Sequence, residues 1–290
     1  MGKWPALDKI EMIEGPLEEE TYERDLRKLQ TRLLDLQIHY LHDRRRAIIC
    51  IDGWDAAGKG GLIGRMVDGL EPKSVHVWRI GAPTPEEQGR HYLWRFWQRL
   101  PVPGDWAIFD RTWYGRVLVE RVEGFCDKDS WKRAYREINE FERQLTDDGV
   151  CIVKLLVHVS AEEQKRRMLD RLSKPHKRYK IGLEDFRNIA KRKDYVEAYD
   201  DMLERTDTEQ APWHVIASDN KMQARLMGLK IIADTLGSGM TLTEPELDPA
   251  VVAAAFKIWG WTPENGKEGG KGNNKKNGEK NDRRSRAEHG

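Results

Sequence analysis

Residues 47–64 read AIICIDGWDAAGKGGLIG. The apolar run Ala47–Ile51 has the length and β-branched content of a buried strand. A glycine-rich turn follows, and the chain then continues as a helix beginning near Lys59. Within the turn, Gly53 is separated by four residues from Gly58-Lys59, the G-x-x-x-x-G-K spacing of a phosphate-cradling loop. Glycines let the backbone bend tightly and bring bare N–H groups against an anion. The helix start adds the positive end of its dipole, and the lysine adds a full charge. Gly53, Ala56, Ala57, Gly58, Lys59, Gly60 and Gly61 are therefore the candidate phosphate-binding residues. Gly60 stands where a Ser or Thr hydroxyl usually holds Mg²⁺, so the metal needs another holder, and Asp52 and Asp55 are nearest. A strand–turn–helix corner that uses glycine for geometry alone is the alternative.

Bulk properties narrow the class. The chain has 290 residues, 39% hydrophobic and 34% charged, with a formal net charge of +1. That length suits one large α/β domain or two small ones. The near-neutral balance argues against a general nucleic-acid coat, so no specific nucleic-acid partner is expected. The three cysteines, Cys50, Cys126 and Cys151, form no C-x-x-C pair, which points away from zinc and redox chemistry. The N-terminal residues lack an apolar signal core, and no apolar run approaches the roughly 18 residues that span a bilayer. A cytoplasmic protein without a membrane partner is expected.

Outward from the loop, strands and helices alternate. Residues 1–16 form an irregular lead-in. Residues 17–46 read as a helix whose Leu26, Leu29, Leu33, Leu36 and Tyr40 make one apolar seam. That seam suits packing on its own domain, or an oligomer contact, since it has a short a/d pattern. Further strands are expected at 75–80, 105–110, 150–160 and 213–217. Helices are expected at 61–70, 86–100, 130–147, 161–173, 183–206 and 222–236. Arg90, Arg95 and Arg99 on the second of these read as a solvated face or as part of an anion groove. This alternation predicts an α/β fold: a P-loop kinase-like three-layer sandwich, with a parallel sheet, helices on both faces and a helical basic lid. The P-loop domain spans 47–240, followed by an extension at 241–261. Residues 262–290 are rich in Gly, Asn and charge, and read as a disordered tail.

Two features beyond the loop bear on chemistry. Asp110 ends a strand, where P-loop proteins hold metal or metal-bound water. From Lys165 to Lys180 there are eight Lys or Arg residues and one acid, Asp170. A solvated charge run is one reading. Nucleotide kinases also carry a mobile phosphate-clamping lid at this point in the chain, here about 165–190. His158 alternates with Leu156 and reads as a satisfied core or edge histidine.

With these residues in view, the chain resembles the family-2 polyphosphate kinases, which move phosphate between inorganic polyphosphate and nucleotides. The resemblance runs from about residue 17 to 236. It is carried by GWDAAGKGG (53–61), GAPTPEE (81–87), HYLWRFWQRLP (91–101), FDRTWYGRVLVERVEGF (109–125), FERQLTDDG (141–149), DRLSKPHKRYK (170–180) and ERTDTEQAPWHVI (204–216). The family also has glycine after the loop lysine, so Gly60 fits. The resemblance implies that Asp55 and Asp110 are acidic magnesium and catalytic residues, with Lys59 the phosphate-binding lysine and Arg111 the catalytic arginine beside the second aspartate. It implies basic lid positions at Arg171, Lys177 and Lys180, with Arg178 beside them. Tyr179 stands where the family usually has tryptophan. Arg116 and Arg121 are expected to help hold the polymer. The implied cofactor is Mg²⁺, with Mn²⁺ as substitute, and the implied partners are polyphosphate, a nucleoside mono- or diphosphate, and further copies of the chain in a dimer or tetramer. The run YGRVLVERVEGF, with Gly115 and Glu123, looks most like the monophosphate-using members, which often occur as fused double domains. Two rivals are an ATP-dependent nucleoside monophosphate kinase and a non-catalytic polyanion-binding protein.

Overall fold

The computed structural model describes residues 4–12, 15–242 and 247–263. In chain order the elements are α1 (Glu19–His42), β1 (Arg46–Gly53), α2 (Lys59–Val67), β2 (Val75–Arg79), α3 (Trp94–Trp97), β3 (Trp106–Asp110), α4 (Val119–Glu123) and α5 (Lys128–Asp147). They continue with β4 (Val150–His158), α6 (Ala161–Ser173), α7 (Leu183–Ala190), α8 (Arg192–Thr206), β5 (Trp213–Ala217), α9 (Lys221–Leu236) and α10 (Pro249–Trp259). The five strands form one sheet in the order β2-β3-β1-β4-β5, every pair parallel. Parallel strands joined by helical crossovers are covered on both faces, so central ones run nearly continuously apolar. β1 shows this: Ala47, Ile48, Ile49, Cys50 and Ile51 are all fully buried.

Strand alternation sorts the helices. Val157 of β4 lies with Leu62 of α2 and Ala224 of α9, and α1 packs on α9. Lys154, three residues back and so on the other face, reaches α5 and α8. The expected three layers are present. Residues 1–242 form one compact unit and 243–290, which carry α10, another. The tail expected at 262–290 lies, from residue 264 on, outside the described residues.

Several expectations change. The helix expected at 86–100 shrinks to α3, four residues long. Gly89 has φ 77°, a left-handed conformation that stops a helix begun at Glu86. Glu87 instead closes a turn by accepting from the Thr84 N–H at 3.0 Å, and pairs with Arg95 at 3.1 Å and Arg99 at 2.8 Å. Those two arginines are thus not simply a solvated face: they share Glu87. The helix expected at 183–206 is two helices, broken at Lys191 (φ −102°, ψ 21°). The Lys191 ammonium bonds Glu123 at 2.9 Å, which favours the break. The α1 seam is spent inside the domain: Leu26, Leu33, Leu36 and Tyr40 are buried, and the Tyr40 hydroxyl donates to Leu236 O at the end of α9. Leu29 of the same seam is partly buried against the core. The lead-in is anchored rather than loose where described, with Leu7 fully buried and Trp4 Nε1 donating to Asp207 at 3.0 Å.

Candidate phosphoryl-transfer site

The loop between β1 and α2 sits at the carboxyl edge of the sheet, where ligands of open α/β sheets bind. β3 is the neighbour of β1, with Ile51 opposite Asp110, so the loop and the end of β3 lie side by side. Gly53 is obligatory. Its φ is 139°, and a Cβ there would stand 2.1 Å from Val157 O. Gly58 has φ 118° and starts α2. Beside the loop, two of the three described non-glycine residues with left-handed backbone are found, Ala56 (φ 61°) and Arg111 (φ 66°). Such conformations cost on the order of 1–3 kcal/mol each and persist only where the surroundings enforce them.

The enforcing group at Ala56 is Arg167 of α6, a buried guanidinium. It donates to Ala56 O at 2.9 Å, Ala57 O at 2.8 Å and Asp219 O at 3.0 Å. With its carbonyls held from behind, the loop leaves the N–H groups of Asp55, Ala56, Gly58, Lys59 and Gly60 without an acceptor among the described residues. A row of outward N–H groups at a helix start is an anion cradle. Lys59 Nζ folds over it, donating to Gly53 O at 2.6 Å and Trp54 O at 2.9 Å. An ammonium has three donors, so one remains for a ligand.

Charges converge here. Burial lowers the Lys59 pKa, opposed by Asp55, Asp110 and Asp52, so all three carboxylates lie within electrostatic reach of the ammonium. Burial pushes Asp55 up, but Lys59, Arg111 and Asn188 outweigh it and hold it below the usual carboxylate range. Asp55 accepts from Arg111 at 3.1 Å and from the Asn188 amide of α7 at 2.7 Å. The Asp110 carboxylate has no hydrogen-bond or ion-pair partner among the described residues, although it ends a strand beside Lys59 and Arg111. Asp52, the other metal holder considered from the sequence, is buried and accepts from the Thr112 hydroxyl at 2.6 Å. Burial raises its pKa to about 6, and it braces the turn after β3 instead of facing a ligand.

A second tier fixes the loop. Gln164 Nε2 donates to Asp55 O at 2.9 Å, and Arg192 donates to Gln164 Oε1 at 2.6 Å. The Arg192 guanidinium also lies 4.0 Å from the centre of the Trp54 ring. Trp54 in turn donates to His158 Nδ1 at 2.8 Å, so His158 is a satisfied core histidine.

The arginines expected to hold the polymer are engaged with carboxylates of their own chain. Arg121 is paired with Asp201 at 2.6 Å and Glu197 at 2.9 Å, and lies over Trp131. Arg116 is paired with Glu120 at 2.9 Å and lies over Tyr92. Arg121 fastens α4 to α8 and α5, and Arg116 ties the turn after β3 to α4. In the basic segment, Arg171 donates to Lys180 O at 2.9 Å, and Lys174 and Lys177 share Asp170. Those contacts shape the segment. Among the described residues, the side chains of Arg178 and Lys180 have no carboxylate partner: Arg178 donates to Leu172 O, Lys180 lies over Tyr179, and Tyr179 is 80% exposed. Sequence reasoning missed Asn188, Arg167, Gln164, Arg192 and Thr112, because each acts on residues far away in the chain. Arg167 was visible only as one charge in a basic run.

The sequence model of the family described as Polyphosphate kinase 2 (PPK2) matches residues 16–241. The chain belongs to the polyphosphate kinase 2 family. Among PPK2 relatives, the polyphosphate:AMP phosphotransferase of Pseudomonas aeruginosa is 45% identical over 221 residues, 76% of this chain and 44% of that protein. The chain thus spans about half the length of the first curated relatives it matches. The AMP/ADP-polyphosphate phosphotransferase of Meiothermus ruber is 35% identical over 84% of this chain and 86% of that protein. The crystal structure of a polyphosphate kinase 2 from Arthrobacter aurescens TC1 superposes with a TM-score of 0.77 at 33% identity, covering 83% of this chain and 88% of that one.

Proposed function

We propose that this PPK2 chain transfers a phosphoryl group from inorganic polyphosphate to a nucleotide, reversibly, with AMP or another nucleoside monophosphate as the favoured acceptor. ADP or GDP is the second acceptor class. The observation that carries the reading is the cradle of N–H groups and Lys59 set beside the Asp110 carboxylate at the ends of β1 and β3, with neither the N–H groups nor Asp110 partnered among the described residues. The acceptor preference rests on the name of the 45% identical relative.

Phosphoryl transfer asks for positioning and charge compensation more than for covalent help. The loop N–H groups and the free donor of Lys59 hold phosphate oxygens. Arg111, tied to Asp55, presents guanidinium charge where negative charge builds up on the transferred group. The basic segment from Lys174 to Lys180 is a lid over the polymer and excludes water. The donor set fits a hard dication: Asp55 and Asp110 offer carboxylate oxygens, and no group of three or more His, Cys, Asp or Glu side chains among the described residues could cage a metal alone. Mg²⁺ takes one or two carboxylates and completes its shell with water and phosphate oxygens. Mg²⁺, or Mn²⁺ in its place, would be held by Asp55 and Asp110, and would offset charge on the bridging phosphates. We place the activity in the cytoplasm, beside the nucleotide pool; among the described residues no helix is long and apolar enough to cross a membrane. We further propose a homo-oligomer, dimer or tetramer.

Incubation with Mg²⁺, polyphosphate and separate pools of AMP, ADP, GMP and GDP, with products resolved by chromatography, tests the reading. Lys59→Ala and Asp110→Asn are each expected to lower turnover by at least a hundredfold while thermal unfolding stays cooperative. Activity with ATP but not polyphosphate as donor, or near-wild-type rates in either variant, would overturn it.

A further inference from the structure

Asp55 is gripped from two directions by groups of different kind. Arg111, from the end of β3, supplies charge to Oδ1 at 3.1 Å. Asn188, 133 residues along the chain on α7, supplies a neutral amide to Oδ2 at 2.7 Å. The orientation of that amide is fixed by chemistry. A carboxylate can only accept, so the NH₂ faces Asp55. Its Oδ1 then needs a donor, and the Tyr195 hydroxyl of α8 stands 3.1 Å away. Tyr195 is itself buried, and its other oxygen neighbour, Glu123 Oε1, is farther at 3.5 Å. The hydroxyl proton therefore goes to Asn188.

A neutral partner at Oδ2 differs in kind from a second cation. It sets the direction of the carboxylate but leaves its net charge, which a group meant to face phosphate-bound cations must keep. The amide also travels with a separable element. α7 is only eight residues long, follows the basic segment 175–180 directly, and is cut off from α8 by the break at Lys191. If α7 leaves the loop, Asn188 leaves both Asp55 and Tyr195.

We propose that Asn188 is a positioning residue: it latches α7 onto the phosphate loop and orients Asp55 for transfer, and Tyr195 orients Asn188. Coupling of this kind is reciprocal, so closing the basic segment sets the carboxylate, and the ordered carboxylate holds the segment closed.

Two variants test it. Asn188→Leu keeps the shape and removes the donor; Tyr195→Phe removes one hydroxyl from the next position. In the ligand-free protein, amide hydrogen exchange across 183–190 is expected to accelerate at least tenfold in Asn188→Leu. Tyr195→Phe should accelerate it by a smaller factor, with exchange in β1 and β4 unchanged. In turnover with polyphosphate and AMP, kcat is expected to fall at least tenfold in Asn188→Leu while KM for AMP stays within threefold. A loss of packing alone would speed exchange across the whole domain and would not split kcat from KM. Unchanged exchange over 183–190 in both variants would overturn the latch, as would a raised KM with unchanged kcat. The kinetic arm rests on the phosphotransferase reading; the exchange arm does not. A wild-type protein inactive with polyphosphate would therefore defeat that reading while exchange still decides the latch. Should Asn188→Leu fail to fold, Tyr195→Phe carries both measurements.

Discussion

The Trp54 indole N–H ends on His158 Nδ1, so that nitrogen must keep its lone pair and the imidazole must stay neutral. Burial, with Arg192 nearby, lowers the His158 pKa from 6.5 to about 4. Between those values the unfolded chain binds a proton that the folded chain refuses. Stability therefore rises with pH across this window and is lost as pH falls through it. The shift corresponds to at most about 3 kcal/mol. Urea unfolding at pH 7 and pH 4.5 is expected to show a smaller acid loss for His158→Gln than for the wild type, because Gln accepts the indole proton without a site to titrate. Equal losses would show that His158 charges freely in the fold. Lys59 and Asp110 announce themselves in the sequence, since a loop spacing and a strand end are local patterns. Asn188 and Arg167 do not, since their partners lie 133 and 111 residues away.

At the scale of elements, one buried ion pair joins β4, α5 and the end of α8. Lys154 is fully buried in a strand that otherwise reads as apolar, and it spends all three donors: on Glu142 at 2.9 Å, the Tyr114 hydroxyl at 3.0 Å and Thr206 O at 2.7 Å. Glu142 also accepts from Tyr114 at 2.6 Å and Trp113 Nε1 at 2.9 Å. Those two aromatics follow Asp110-Arg111 and Thr112, so the cluster holds the turn that presents the site. Lys154→Met alone leaves a buried carboxylate uncompensated and is expected to cost about 3–5 kcal/mol in chemical unfolding. The pair Lys154→Met with Glu142→Leu should recover most of that, since an apolar replacement of both partners avoids the lone charge. A double variant as unstable as the single one would contradict this account. Secondary structure was legible where periodicity was strong, as in α5, α6, β4 and β5. It was not legible at 86–100, where Gly89 and the Glu87 ion pairs override an aromatic-rich helical pattern. Nor was it at 183–206, where the apolar spacing runs on through the break at Lys191.

At the scale of the whole molecule, residues 1–242 form their own compact unit and hold every group named in the site, from Gly53 to Asp219. Removal of 243–290 is accordingly expected to leave polyphosphate-dependent turnover within about twofold and thermal unfolding unchanged; a large loss of either would give that segment a part in the fold or the site. Sequence by itself determined the glycine-rich strand–loop–helix, the parallel α/β alternation, and the acidic strand end, because each is a short-range pattern of glycine, charge and hydrophobic period. Only the tertiary structure decided which charges are free. It spends Arg95, Arg99, Arg116 and Arg121 on carboxylates of their own chain and, among the described residues, leaves Asp110 unpaired. It also sets Asn188 and Arg111 on the two oxygens of Asp55. Pairing is a matter of distance in space, and a residue's letter records that it carries a charge, not whether another residue has already claimed it.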